Sequence, residues 1–192
     1  PELPAFAERF GLSGAVITAV DLIRGIGRLA GLEIIYVEGA TGFVDTNYEG
    51  KADAALKALH TKDFVFVHVE APDEAGHTGK TDLKIRAIED LDRRLLGRLL
   101  AGAGEDFRIL LMPDHPTPIR IKTHSADPVP FVLWGSGVVP NARAAAPDGA
   151  ASSDPSSRRF TEREARASGL FVAEGREIIN MMIGRRGADE GH

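Results

Sequence analysis

Cysteine is absent from the 192 residues. Disulfides and thiolate metal sites are therefore excluded, and any metal must be held by His, Asp, Glu or hydroxyl oxygens. No apolar run reaches the ~18–20 residues that a membrane-spanning helix needs, so no membrane association is expected. The start, Pro1-Glu2-Leu3-Pro4, lacks the basic-then-apolar pattern of a signal peptide. A cytoplasmic location is the resulting expectation. An excess of positive charge is missing too: the net charge is −5 and the isoelectric point about 5.7. No nucleic-acid partner is expected, because such partners usually call for a basic face. A local basic pocket for an anionic substrate remains compatible with these numbers. The first residue is not Met, which leads to the expectation that the natural N-terminus lies upstream.

What is present suits a globular chain. The apolar fraction is 43%, enough for a core, and the length fits one domain or a large piece of one. Residues 15–31 mix apolar and polar positions at roughly helical spacing and predict a helix closing on Gly31. Residues 33–37 (EIIYV) read as a short strand, followed by a Gly-rich loop through Gly39, Gly42 and Asp45-Thr46-Asn47. A helix is expected over 50–61 and a buried strand over 63–69 (DFVFVHV). Residues 81–100 place Leu83, Ile85, Ile88, Leu91, Leu95 and Leu99 mostly three or four apart, a long amphipathic helix. Two further strands are expected over 107–112 and 130–134, and short helices over 162–167 and 173–183. Residues 141–159, rich in Ala, Ser, Asp and Pro, read as a flexible surface loop, and 185–192 as a frayed tail. Strands alternating with helices predict an α/β fold, three layers with a mostly parallel sheet.

Three segments stand at or near the ends of these strands, where open α/β sheets gather ligands. In Pro72-Asp73-Glu74-Ala75-Gly76-His77-Thr78-Gly79, Asp73 and His77 are four apart. One helical turn or a tight Gly-containing loop would bring a carboxylate and an imidazole to one point, a donor pair suited to zinc or manganese. The segment reads equally as a polar loop with a helix N-cap. The second, Pro113-Asp114-His115-Pro116-Thr117-Pro118, puts Asp114 and His115 at the end of a buried strand; alone, it reads rather better as a Pro-rich turn. The third, Thr123-His124-Ser125-Ala126-Asp127-Pro128, adds His124. Together Asp73, His77, Asp114, His115 and His124 are too many for one ordinary catalytic zinc and suit two cations ~3.5–4 Å apart. His60 and His68 have weaker cases, as a helix-end residue and a strand residue.

These three segments, with Pro128-Val129-Pro130-Phe131 closing the third, resemble the archaeal-type 2,3-bisphosphoglycerate-independent phosphoglycerate mutases of the alkaline phosphatase superfamily. Asp21-Leu22-Ile23-Arg24-Gly25-Ile26-Gly27 and the run from Gly39 to Lys51 are similar to that family as well, so the resemblance covers residues 13–135 in order. It implies an alkaline-phosphatase-like fold, here incomplete, with the chain forming the C-terminal part of the domain. It implies that Asp73, His77 and His124 hold one metal and that Asp114 and His115 contribute to a second. The cofactors implied are two divalent ions, manganese or zinc, and no organic group. The implied reaction interconverts 2-phosphoglycerate and 3-phosphoglycerate through a serine nucleophile. That serine and a further aspartate belong to the early part of the family's chain. Ser13, Ser125 and Ser136 fall in the wrong segments, so no catalytic nucleophile is assigned here and the isolated chain is expected not to turn over. Arg24, Arg120 and Lys122 are candidates for contacting a phosphorylated acid. Two other readings stay open: another phosphomutase or phosphatase of the superfamily, and a non-catalytic metal-binding domain.

Overall fold

The structure, a computed structural model, describes residues 3–138 and 159–184. The chain divides into two compact units. The first runs to Gly104 and includes Thr117–Ser125; the second takes Glu105–Pro116 and the described residues from Ala126 onward.

The first unit is built on three parallel strands, β1 (Gly14–Ile17), β2 (Glu33–Ile35) and β3 (Phe64–Val67), in the order β2-β1-β3. The central strand is the most buried: Ala15, Val16 and Ile17 are all at most 2% exposed. Successive side chains of a strand point to opposite faces. Val16 faces α2 (Asp21–Leu29), whose Gly27 brings the helix backbone close; a Cβ on Gly27 would sit 2.9 Å from Val16. Ala15 and Ile17 face the other side, where α3 (Tyr48–Ala58) packs on β1 and β3. The sheet is thus flanked by helices on both faces. A short α1 (Phe6–Phe10) precedes β1, with Phe6 stacked on Phe64 at 4.8 Å.

The residues expected as one helix over 15–31 split into β1 and α2. The period is helical only from Asp21 on; the Ala15-Val16-Ile17 run is short, continuous and apolar, the pattern of a strand buried on both faces. The expected strand over 63–69 is shorter, so His68 lies past the end of β3.

The expected helix over 81–100 is present as α5 (Thr81–Asp90), a π-helical turn (Leu91–Leu96) and α6 (Gly97–Gly102). Leu83, Ala87, Leu91, Leu95 and Leu99 all meet the core, and they are spaced by fours. In an α-helix a step of four overshoots one turn by about 40°. The wider π turn rotates less per residue and brings the stripe back onto one face. That face joins α3 and α4 (Ala71–Thr78) around Tyr48, Ala52, Ala71 and Ala75, all fully buried. Arg94 makes a forked bond to Glu49 of α3 at 2.7 and 2.9 Å, and Arg98 another to Asp53 at 2.5 and 3.0 Å.

The second unit contains β4 (Arg108–Leu111) and β5 (Val132–Gly135), paired antiparallel and not parallel as the alternating pattern suggested. Arg108 fixes this unit internally by donating to the Ser136 carbonyl at 2.7 Å and the Met182 carbonyl at 2.9 Å. α7 (Glu162–Ala167), capped by Thr161, stands where expected, and α8 (Ile178–Ile183), entered through a 3-10 turn (Gly175–Glu177), is shorter than the expected helix over 173–183. The loop expected over 141–159 and the tail over 185–192 lie outside the described residues, Arg159 excepted.

Candidate metal centre

The carboxyl end of β3 turns through His68, Val69 and Glu70 directly into α4. Pro72 sits in the first turn of that helix, where its fixed φ is suited and its missing N–H costs nothing. The helix converts the spacing of Asp73 and His77 into one face. It ends on Gly79 in a left-handed conformation, φ 73°. The segment Thr117–Ser125 belongs to the same unit and supplies a third donor, His124.

The three donors converge. His77 Nε2 lies 3.1 Å from His124 Nε2 and 3.3 Å from Asp73 Oδ2, and His124 Nε2 lies 3.4 Å from Asp73 Oδ1. With metal–ligand bonds of roughly 2.0–2.1 Å, the edges of a tetrahedron are about 3.3–3.4 Å. Each imidazole nitrogen lies near that distance from a different oxygen of the Asp73 carboxylate, and with one ligand atom from each residue the three donors stand within 4.8 Å of one another. His77 Nδ1 is 3.0 Å from the Lys122 carbonyl. A carbonyl only accepts, so Nδ1 carries the proton and the Nε2 lone pair points at the cluster. Two ring nitrogens at 3.1 Å repel unless a proton or a cation lies between them. The side chains of Asp73, His77 and His124 are 24%, 35% and 50% exposed, which leaves the cluster accessible to an ion and to a further ligand. A carboxylate and two imidazoles form a donor set that fits zinc or manganese.

The cluster contains three of the five residues expected as ligands. Asp114 and His115 lie in the second unit, where His115 Nε2 is 3.4 Å from Asp114 Oδ2. Arg24 sits at the carboxyl ends of β1 and β2: it donates to Asp21 at 2.7 Å and to the Thr18 carbonyl at 3.1 Å, and lies over the Tyr36 ring. Arg120 and Lys122 are exposed on the turn leading to His124. Ser13 is at the amino end of β1, the end away from the cluster, donating to Asp63 at 2.7 Å. Ser136 donates to Asp106 within the second unit.

Two residues were missed. Thr117, only 4% exposed, donates its hydroxyl to Asp73. Lys51 is fully buried in α3 and donates to the His68 carbonyl at 3.1 Å. Burial pushes its ammonium down to about 8, with Glu70 opposing. Thr117 left no signal beyond its place between two prolines. Lys51 did: with Ala55 and Ala58 it falls at i, i+4 and i+7 on the apolar stripe of α3.

The sequence matches the model of the metalloenzyme superfamily over residues 1–158. The chain belongs to that superfamily. Within it, the chain is 51% identical over 187 residues to a probable 2,3-bisphosphoglycerate-independent phosphoglycerate mutase of Geobacter sulfurreducens, covering 96% of this chain and 44% of that one. It is 47% identical over 186 residues to a mutase of the same description from Methanosarcina acetivorans, covering 95% and 44%. The chain is thus a homologue of the cofactor-independent mutases and spans less than half the length of these relatives. Among solved structures of the same fold, a Pyrococcus horikoshii protein superposes with a TM-score of 0.77 at 32% identity, over 96% of this chain and 52% of that one. The cofactor-independent phosphoglycerate mutase of Thermoplasma acidophilum, at 23% identity and a TM-score of 0.68 over 96% and 39%, agrees in fold.

Proposed function

We propose that Asp73, His77 and His124 bind a divalent cation, manganese or zinc, in a phosphoglycerate mutase that interconverts 2-phosphoglycerate and 3-phosphoglycerate. The observation that carries this reading is the convergence of one carboxylate and two imidazole nitrogens within 4.8 Å of one another, in a chain whose curated relatives are named as such mutases. A cation in such a site withdraws charge from a phosphoryl oxygen and offsets the charge that builds during in-line transfer. Asp114 and His115 would contribute donors to a second cation. The chain's own part is to hold these donors deprotonated and aimed, and to attract the anionic substrate. Arg24, Arg120 and Lys122 are the cations proposed for its phosphate and carboxylate groups, Arg24 from the strand ends and the other two from the turn before His124.

The test measures two quantities on the protein carrying these residues, wild type and His124→Ala: bound metal after dialysis against manganese and zinc, and 3-phosphoglycerate to 2-phosphoglycerate conversion. The variant should lose the bound ion and drop in turnover by roughly 100-fold or more, as expected when a metal-borne charge clamp is removed. Wild-type metal content and turnover in the variant would overturn the ligand assignment. Release of inorganic phosphate without isomer formation would move the reading to a phosphatase.

A further inference from the structure

The segment from Thr117 to His124 touches every member of the cluster, each time by a different group. Thr117 donates its hydroxyl to Asp73 Oδ1. The Lys122 carbonyl accepts from His77 Nδ1 at 3.0 Å. His124 is itself the third donor.

Both ends of the segment are held. At the start, Lys84 of α5 donates to the Thr117 carbonyl at 2.5 Å. Thr117 is seated directly on α4, because Gly76 has no side chain; a Cβ there would lie 2.6 Å from the Thr117 carbonyl oxygen. At the far end the chain folds back on itself, with the Lys122 N–H donating to the Pro118 carbonyl at 3.0 Å. Lys122 has φ 55°, the one non-glycine residue with positive φ among those described. A left-handed L-residue costs roughly 1–2 kcal/mol and persists where its surroundings over-determine it. Here the Lys122 side chain passes over Gly79, whose missing Cβ makes the space.

Resting on the metal reading above, we propose that residues 117–124 are a positioning clamp for the cation site. Thr117 holds the Asp73 carboxylate in one orientation, and the left-handed turn at Lys122 aims a carbonyl that keeps the His77 proton on Nδ1. The part Lys122 plays in this clamp belongs to its backbone, not to its ammonium. Groups that orient metal ligands in this way are typically worth 10–100-fold in metal affinity.

The experiment titrates zinc into the apo chain by calorimetry and records the visible spectrum of the cobalt form, with circular dichroism of each apo protein as the folding check. Thr117→Val removes the hydroxyl at nearly constant shape and should weaken zinc binding about 10–100-fold and alter the cobalt bands. Thr117→Ser restores the hydroxyl and should restore affinity and spectrum. Lys122→Gly keeps the carbonyl, relieves the left-handed backbone and should bind zinc at least as well as wild type. Lys84→Met, which frees the Thr117 carbonyl without touching a ligand, should weaken binding in the same direction and covers the case of a poorly folded Thr117→Val. A folded Thr117→Val or Lys84→Met with wild-type affinity and wild-type cobalt spectrum overturns the clamp while leaving the metal site intact. Wild type that takes up no zinc or cobalt overturns the site, and the clamp with it.

Discussion

Lys51 places an ammonium group where no water reaches it and donates to the His68 carbonyl at 3.1 Å. Desolvation disfavours the charged form, and its pKa falls from 10.5 to about 8 on folding. Between those values the unfolded chain binds more protons than the folded one, so stability should rise with pH from about 8 to 10. Below pH 8 both states are protonated and the cost, on the order of 3 kcal/mol by the size of the shift, is constant. Tyr48 acts in the opposite sense above pH 10, since burial and the Asp90 charge raise its phenol. Urea midpoints at pH 7, 8, 9 and 10 check this: wild type should gain stability across the window, and Lys51→Met should lose that slope. In the sequence Lys51 was visible only as a conflict, a charged residue on an apolar stripe. Which side yields depends on neighbours, and α3 buries that stripe completely.

The contact of α3 with the α5–α6 helical stretch is made in two ways of unequal strength. Leu95 is buried in the core at 6% exposure. The Arg94–Glu49 fork is one-third exposed at the Arg94 side chain and 41% exposed at Glu49, where screening leaves a pair worth about 0–1 kcal/mol. Leu95→Ala should therefore cost ~2–5 kcal/mol, and Glu49→Gln no more than about 1 kcal/mol, read from urea unfolding at pH 7. Arg94→Met should exceed Glu49→Gln, because Arg94 also lies over the Tyr48 ring at 4.9 Å and 3.6 Å from the buried Asp90. The existence of this helix was legible from Leu83, Leu91, Leu95 and Leu99. The π turn was not: steps of four fit an amphipathic α-helix tolerably, and the drift they accumulate becomes a constraint only when α3 and α4 require one flat face.

At the scale of the whole molecule, the three converging donors all belong to the first unit, while Asp114 and His115 supply two donors in the second. Two fall short of the three protein ligands usual in a catalytic zinc site, so the first equivalent of zinc should act on the first unit. Hydrogen exchange followed by mass spectrometry should show slower exchange in α4 and in 117–124 after one equivalent, with the β4–β5 ladder unchanged. Protection appearing first at 112–116 would move the site to Asp114 and His115. By itself the sequence determined the alternation of most strands and helices, the four-residue spacing of Asp73 and His77, and the exclusion of thiolate ligands, because these rest on local periodicity and residue type. Only the tertiary structure decided that Ala15-Val16-Ile17 is the central strand, that β4 and β5 run antiparallel, and that His124, 47 residues beyond His77, closes the cluster. It also decided that Thr117 bonds to Asp73 and the Lys122 carbonyl to His77. The physical reason is common to all of these: pairing direction and donor convergence are contacts between segments distant in sequence, and no local period encodes which distant group will arrive.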